Sequence, residues 1–238
     1  MAVKVWREYR RHRTEFANYD VPYAHPQKAC GTMIECFFDC SSPWTYLAFH
    51  NLQLMADELQ EPVAWRPILV GGIFNSINPS VYAQRENPIP AKAAYLQKDL
   101  QDWARLAKLR IVFPPRIFPV NSVKVMRSCL WLQPQGLLLP FARCAFEAYW
   151  ARQDDIADNA VLAALCQQCG VDPTALLQAI TREDIKQQLK DNTTELVCRG
   201  GFGSPTMFLG DDMFFGNDRL PLLREAVLLS RRKLPGSP

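Results

Sequence analysis

This 238-residue chain has no long unbroken apolar run and no strong excess of charge of either sign. Without an apolar run long enough to span a bilayer, no membrane-crossing helix is expected. Its formal net charge of +3, from 27 basic and 24 acidic side chains, is too small to argue for a nucleic-acid partner. The first residues, MAVKVWREYRRHR, lack the apolar stretch of a secretory signal, and Glu8, Glu15 and Asp20 count against a mitochondrial transit peptide. Internal repeats and low-complexity segments are also missing. At 48% hydrophobic and 21% charged, the composition is that of an ordinary globular protein with ample core.

Cysteines are present, but the patterns that would give them chemistry are missing. The eight, at positions 30, 36, 40, 129, 144, 166, 169 and 198, mostly fall in apolar runs. In a chain of this length they read as small buried hydrophobes rather than a disulfide framework. The single C-x-x-C, Cys166 to Cys169, has no second pair and no nearby histidine, so packing is expected there rather than metal or redox work. A reducing, cytoplasmic setting fits this usage. The expected partner is a small molecule, with neither nucleic acid nor membrane.

Chemistry that alternates between strand and helix signals is present at both ends of the chain. Residues 1–32 read as an extension in which Val5, Tyr9, His12 and Phe16 share one face of a short helix. Its basic cluster is read as a solvated face, with a docking arm as the sharper alternative. MIECFFD (33–39) has the continuous apolar character of a buried strand. A turn, CSSPW, leads into a helix, and EPVAWRPILV (61–70) reads as a second strand. After a GGIFNSINPS loop, helical periodicity recurs at about 91–108, 121–133, 137–152 and 158–169, with a short helix opening at Asp172–Pro173. A longer helix covers about 181–198, a hairpin turns at Gly210–Asp212, and a final helix runs over about 218–232. The fold class expected is α/β: a thioredoxin-like unit from 33–72 and 181–232, interrupted by a helical insertion at 73–180.

Three motifs lie where such a fold puts its chemistry. CSSPWT joins a buried strand to a helix N-terminus, where unpaired N–H groups and the helix dipole favour negative charge. Redox proteins place C-x-x-C there because that field stabilises a thiolate. The four residues here are Ser42, Pro43, Trp44 and Thr45, which cannot form a disulfide. The turn is either a good helix cap or an anion site with a hydroxyl donor. GGFGSPTMFL (200–209) crowds glycines before Ser204–Pro205, whose peptide bond could be an ordinary trans turn or cis, with the Ser204 backbone free to pair with an extended ligand. In FFGNDRL, Asn217 and Asp218 either cap the last helix or hold the charged ends of an amino-acid moiety. Arg66 is expected to pair with a carboxylate, and His50 lies two turns beyond Ser42, too far for an obvious base.

In this order and spacing, FFDCSSPWTYLAF, WRPILVGGIF, YLQKDLQDWA and GFGSPTMFLGDDMFFGNDRL resemble the 2-hydroxychromene-2-carboxylate isomerases and the related kappa-class glutathione transferases, over roughly residues 33–232. The resemblance implies a DsbA-like fold, a homodimer and glutathione as cofactor. It implies that Ser42 is the active-site serine and that Ser204–Pro205 is the glutathione-binding cis-proline segment. It further implies γ-glutamyl contacts at Asn217 and Asp218 and a loop contact at Asn78. The reaction implied is thiolate addition to an aromatic or conjugated electrophile, ending in isomerisation or, in a transferase, at the adduct. A catalytically silent thioredoxin-fold binding protein is the reading from another class. Cys40 and Ser204 depart from the apolar residues usual in the family; these departures leave the glutathione site in place and bear on the hydrophobic substrate.

Overall fold

The computed structural model describes residues 33–232; the expected N-terminal helix lies outside them. Strand β1 (Ile34–Phe38) is central in a four-stranded sheet of order β2-β1-β3-β4. It pairs in parallel with β2 (Val63–Pro67), with Cys36 opposite Trp65, and antiparallel with β3 (Thr206–Leu209), with Cys36 opposite Met207. Strand β4 (Asp212–Phe215) closes the β3 hairpin at the sheet edge. A central strand covered on both faces must be apolar on both, and four of the five β1 residues are buried.

Helix α1 (Pro43–Leu59) crosses one face of this sheet, where Phe49 packs between Phe38, Trp65 and Phe146 with ring centroids 5.8, 4.8 and 5.1 Å away. On the other face, Phe37 and Phe208 meet edge to face at 5.7 Å and pack with Ile68, Ile73 and Leu196. Between β2 and the long helix α9 (Glu183–Cys198), the chain is helical or looped throughout. It contains α2 (Val70–Ser76), α3 (Ser80–Glu86), α4 (Pro90–Leu106), α5 (Val123–Leu132), α6 (Leu138–Phe146), α7 (Asn159–Gln168) and α8 (Pro173–Ala179). Helix α6 runs on as a π-helical turn, Glu147–Arg152, that drives Tyr149 and Trp150 fully into the core. After β4, a 3₁₀ turn (Asn217–Arg219) leads to α10 (Leu220–Arg232).

Two expectations need correction. The second strand stops at Pro67 instead of Val70, and the Gly-Gly segment read as a loop begins a helix, α2. Glycine disfavours a helix locally. Here the N–H groups at the start of α2 find distant partners: Leu69 N–H donates to Thr193 Oγ1 at 3.1 Å and Val70 N–H to Asp39 Oδ2 at 2.8 Å. Such capping from elsewhere in the fold leaves no local trace in the sequence.

Candidate active site

The junction of β1, α1 and β3 brings the first two motifs together. Ser42 is the N-cap of α1, in an extended conformation, and Pro43 fills the first helical position. The Thr45 N–H donates to Ser42 Oγ at 3.2 Å, the ordinary capping bond. The Ser42 hydroxyl in turn donates to the Ser204 carbonyl at 3.2 Å. Cap and anion site are therefore not exclusive: one half-exposed hydroxyl caps the helix and faces the proline loop.

The Ser204–Pro205 peptide bond is cis. Ser204 is buried, and its side chain turns inward rather than toward a substrate. Its Oγ accepts from the Asp39 N–H at 3.1 Å and lies 2.8 Å from Thr45 Oγ1. A serine can stand here in place of an apolar residue because its hydroxyl is fully used. Thr45, in the position where a redox protein has its second cysteine, is 1% exposed and committed to this contact.

Sequence reasoning missed Asp39, two residues before the Ser41–Ser42 pair. It is 1% exposed, and its Oδ1 accepts from Ser41 N–H at 2.9 Å while Oδ2 accepts from Val70 N–H. Desolvation raises the Asp39 pKa despite these donors. One carboxyl group thus ties the serine turn to the α2 start. The only prior sign of it was an acidic residue ending an apolar strand.

Above this floor opens a cavity of ≈ 690 Å³. Ser41, Ser42, Gly203 and Ser204 lie at its base, and Asn78 is on its wall. Asn78 Nδ2 donates to the Phe202 carbonyl at 3.3 Å, tethering the loop before the cis-proline to the chain between α2 and α3. The wall is largely aromatic. Phe74 meets Tyr82 edge to face at 6.3 Å, Phe113 meets Phe118 at 5.3 Å, and Phe202 packs on Phe215 at 4.4 Å. Trp44 joins this wall, whereas Tyr46 is buried and stacked on Phe146 at 5.1 Å. Cys40 is fully buried behind the turn, where its carbonyl accepts from Trp150 Nε1 at 2.9 Å, so this departure from the family never reaches the wall.

The remaining expected residues fall elsewhere. Pro205 is buried and off the cavity wall, and Asn217 and Asp218 are off it too. Asn217 is 3% exposed; its Oδ1 accepts from Asn51 Nδ2 at 2.9 Å, and its own Nδ2 is buried without a partner. Asp218 is exposed and paired with Arg219 at 2.6 Å. Gly216, at φ 100°, precedes them; a Cβ there would come within 2.6 Å of Asp218 Oδ1 in a conformation side chains rarely adopt. Arg66 pairs with Glu195 on the opposite side of the sheet, and His50 is off the cavity wall. Cys166 is in the core and Cys169 lies 3.9 Å from Cys144; burial pushes their thiols up to about 11 and about 12, far from reactive. Among the described residues no helix is long and apolar enough to cross a membrane, and no cluster of three or more His, Cys, Asp or Glu is placed to hold a metal ion.

Comparison with known proteins places this geometry. A family model described as a DSBA-like thioredoxin domain matches residues 33–228. The 2-hydroxychromene-2-carboxylate isomerase of Pseudomonas sp. (strain C18) is 29% identical over 197 residues, covering 82% of this chain and 90% of the relative. Glutathione S-transferase kappa 1 of Homo sapiens is 28% identical over 204 residues, covering 80% of this chain and 88% of the relative. A solved 2-hydroxychromene-2-carboxylate isomerase shares the fold with a TM-score of 0.72 at 25% identity, over 84% of this chain and 97% of that one. Its relatives are thus isomerases and glutathione transferases, and the chain belongs to the DSBA-like thioredoxin domain family.

Proposed function

We propose that the chain is a glutathione-dependent isomerase of the 2-hydroxychromene-2-carboxylate type, acting on an aromatic or conjugated carbonyl compound. The observation that carries this reading is the Ser42 hydroxyl, held at the mouth of α1 and facing the Ser204 carbonyl at the base of an aromatic cavity. Its relatives named as isomerases and glutathione transferases support the same class.

The residues present fit glutathione on one independent observation: the buried Asn217 Nδ2 has no partner, and a carboxylate is a natural acceptor for it. Ser42, the Ser204 backbone, Asn217 and Asp218 would hold the tripeptide, with Asn78 and Pro205 shaping the loop beside it. Bound there, glutathione would supply a thiolate nucleophile for reversible addition to the conjugated carbonyl compound.

The chain's part is electrostatic. A free thiol titrates near pH ~8.5, so only a few per cent is ionised at neutrality. A hydrogen bond to a charged acceptor contributes about 1.5–3 kcal/mol, roughly one to two pKa units. Ser42 can turn its proton from the Ser204 carbonyl to a sulfur anion, aided by the N-terminal amides of α1. The aromatic wall excludes water and gives an apolar electrophile its seat.

A kappa-class-like transferase is the second reading, favoured by the human relative and served by the same floor. Product analysis separates the two: an isomerase returns glutathione unconsumed, and a transferase consumes it stoichiometrically. A cytoplasmic homodimer completes the proposal, and sedimentation of the full chain tests the dimer. Glutathione affinity by calorimetry tests the reading as a whole, since a chain that does not bind it cannot be this enzyme.

A further inference from the structure

Helix α10 is apolar on two sides. Its inward side buries Leu220, Leu223 and Val227 against the rest of the fold. Leu222, Ala226 and Leu229, at the spacing i, i+4, i+7, form a second stripe turned away from that core. The described residues leave it open: Leu222 is 53% exposed and Leu229 44%, and the exposed Glu225 borders it. Single surface leucines are ordinary, but a stripe at helical spacing is what a helix presents to another helix. The chain preceding residue 33 leaves close to the end of this helix. Ile34 N–H donates to the Pro62 carbonyl at 3.2 Å, while Arg231 reaches the Leu59 carbonyl and Glu61 at 2.6 Å each. Residues 59–62 therefore join the start of β1 to the last turn of α10.

We propose that this stripe is the seat of the chain's own N-terminal extension, with residues 4–16 laid along α10 as a helix and Val5, Tyr9, His12 and Phe16 facing Leu222, Ala226 and Leu229. The two patterns repeat alike, since both step by i, i+4, i+7. Along a helix axis the stripe spans about 10 Å and the face from Val5 to Phe16 about 16 Å, so one covers the other. Residues 17–32 hold Pro22 and Pro26, which stop the helix, and extended they reach about 50 Å, ample for the return from Met33. Five basic side chains between Lys4 and Arg13, against Glu8 alone, give Glu225 a partner of opposite sign. A helix of about a dozen residues is marginal alone in water, so an apolar face to lie on is what this segment needs. The contact is independent of the chemistry in the cavity.

Amide hydrogen exchange of the full chain, read by mass spectrometry, tests it in three proteins: the wild type, the stripe variant Leu222→Gln/Leu229→Gln, and the extension variant Val5→Gln/Phe16→Gln. In the wild type, residues 5–16 are expected to exchange about tenfold more slowly than in either variant, and equally so after a fiftyfold dilution. Exchange in β1 and β3 should be the same in all three, which shows the fold intact; the extension variant changes nothing in the described core, so it decides the matter if the stripe variant fails to fold. An extension that exchanges as fast in the wild type as in the variants would overturn the proposal. So would protection that survives the stripe substitutions, which would seat the extension elsewhere. Protection lost on dilution, or a stripe variant that loses an oligomer in sedimentation while residues 5–16 stay protected, would give the stripe to a second copy of the chain instead.

Discussion

The cavity's floor and its wall come from different parts of the chain and are held by different forces. The floor lies where β1, α1 and β3 meet, and short hydrogen bonds join Ser42, Thr45, Ser204 and Asp39, three of which are nearly or fully buried. The wall is drawn from α2, α3, the segment before α5 and the loop before β3, and rings packed on rings hold it. Hydrogen-bonded geometry suits the stabilisation of a small charge at one point, where a displacement of an ångström matters. Aromatic packing tolerates variation in what it holds, so the floor is suited to fix the chemistry and the wall to choose the substrate.

The sharpest break between them is expected at Asp39. Asp39→Ala leaves the Ser41 and Val70 N–H groups without their acceptor inside the protein, and unfolding in urea should show a loss of about 2–5 kcal/mol. Replacing a wall residue by the same truncation should act chiefly on ligands. Phe74→Ala is expected to weaken the aromatic probe 2-naphthylmethanol by about tenfold, with glutathione affinity unchanged by calorimetry. If Phe74→Ala disturbed glutathione and Asp39→Ala did not, the division between floor and wall would fail.

Within the floor, Thr45→Val and Ser204→Ala should each destabilise, and the double variant should show a coupling of about 1 kcal/mol, because their hydroxyls are 2.8 Å apart. Additive effects would mean that the contact does not bind the two elements. The smallest effect expected is one of pH. Desolvation holds the Asp39 pKa above its ordinary value, so the folded state favours the neutral form. That contribution is complete below the unfolded value of ~3.9 and is lost as pH rises through the raised one. Thermal unfolding of wild type minus Asp39→Asn should therefore decline over that window, and a difference that grows with pH would reverse the assignment.

The sequence made the floor far more legible than the wall. A buried strand, an N-cap serine with proline behind it and a glycine-crowded Ser-Pro each carry a local signal, and their order along the chain carries a topology. The bounds of α1 and of the β3–β4 hairpin follow from such signals. Helix α2 does not, because Asp39 and Thr193 cap it from more than thirty residues away along the chain. Arg85, on the cavity wall, was hidden for a similar reason: an arginine on a short polar helix looks like any solvated charge until Phe118 is brought beside it. Asn217 and Asp218 were legible as a pair but not in their surroundings, where one is buried against Asn51 and the other exposed.

The most direct test is an ultraviolet titration of glutathione bound to the full chain, read from the thiolate absorbance, for the wild type and for Ser42→Ala. The expected result is a bound thiol pKa about one to two units below the free value of ~8.5 in the wild type, moving back toward it in Ser42→Ala with glutathione still bound. An identical titration in both proteins would contradict the role given to the serine and, with it, the chemistry assigned to the floor.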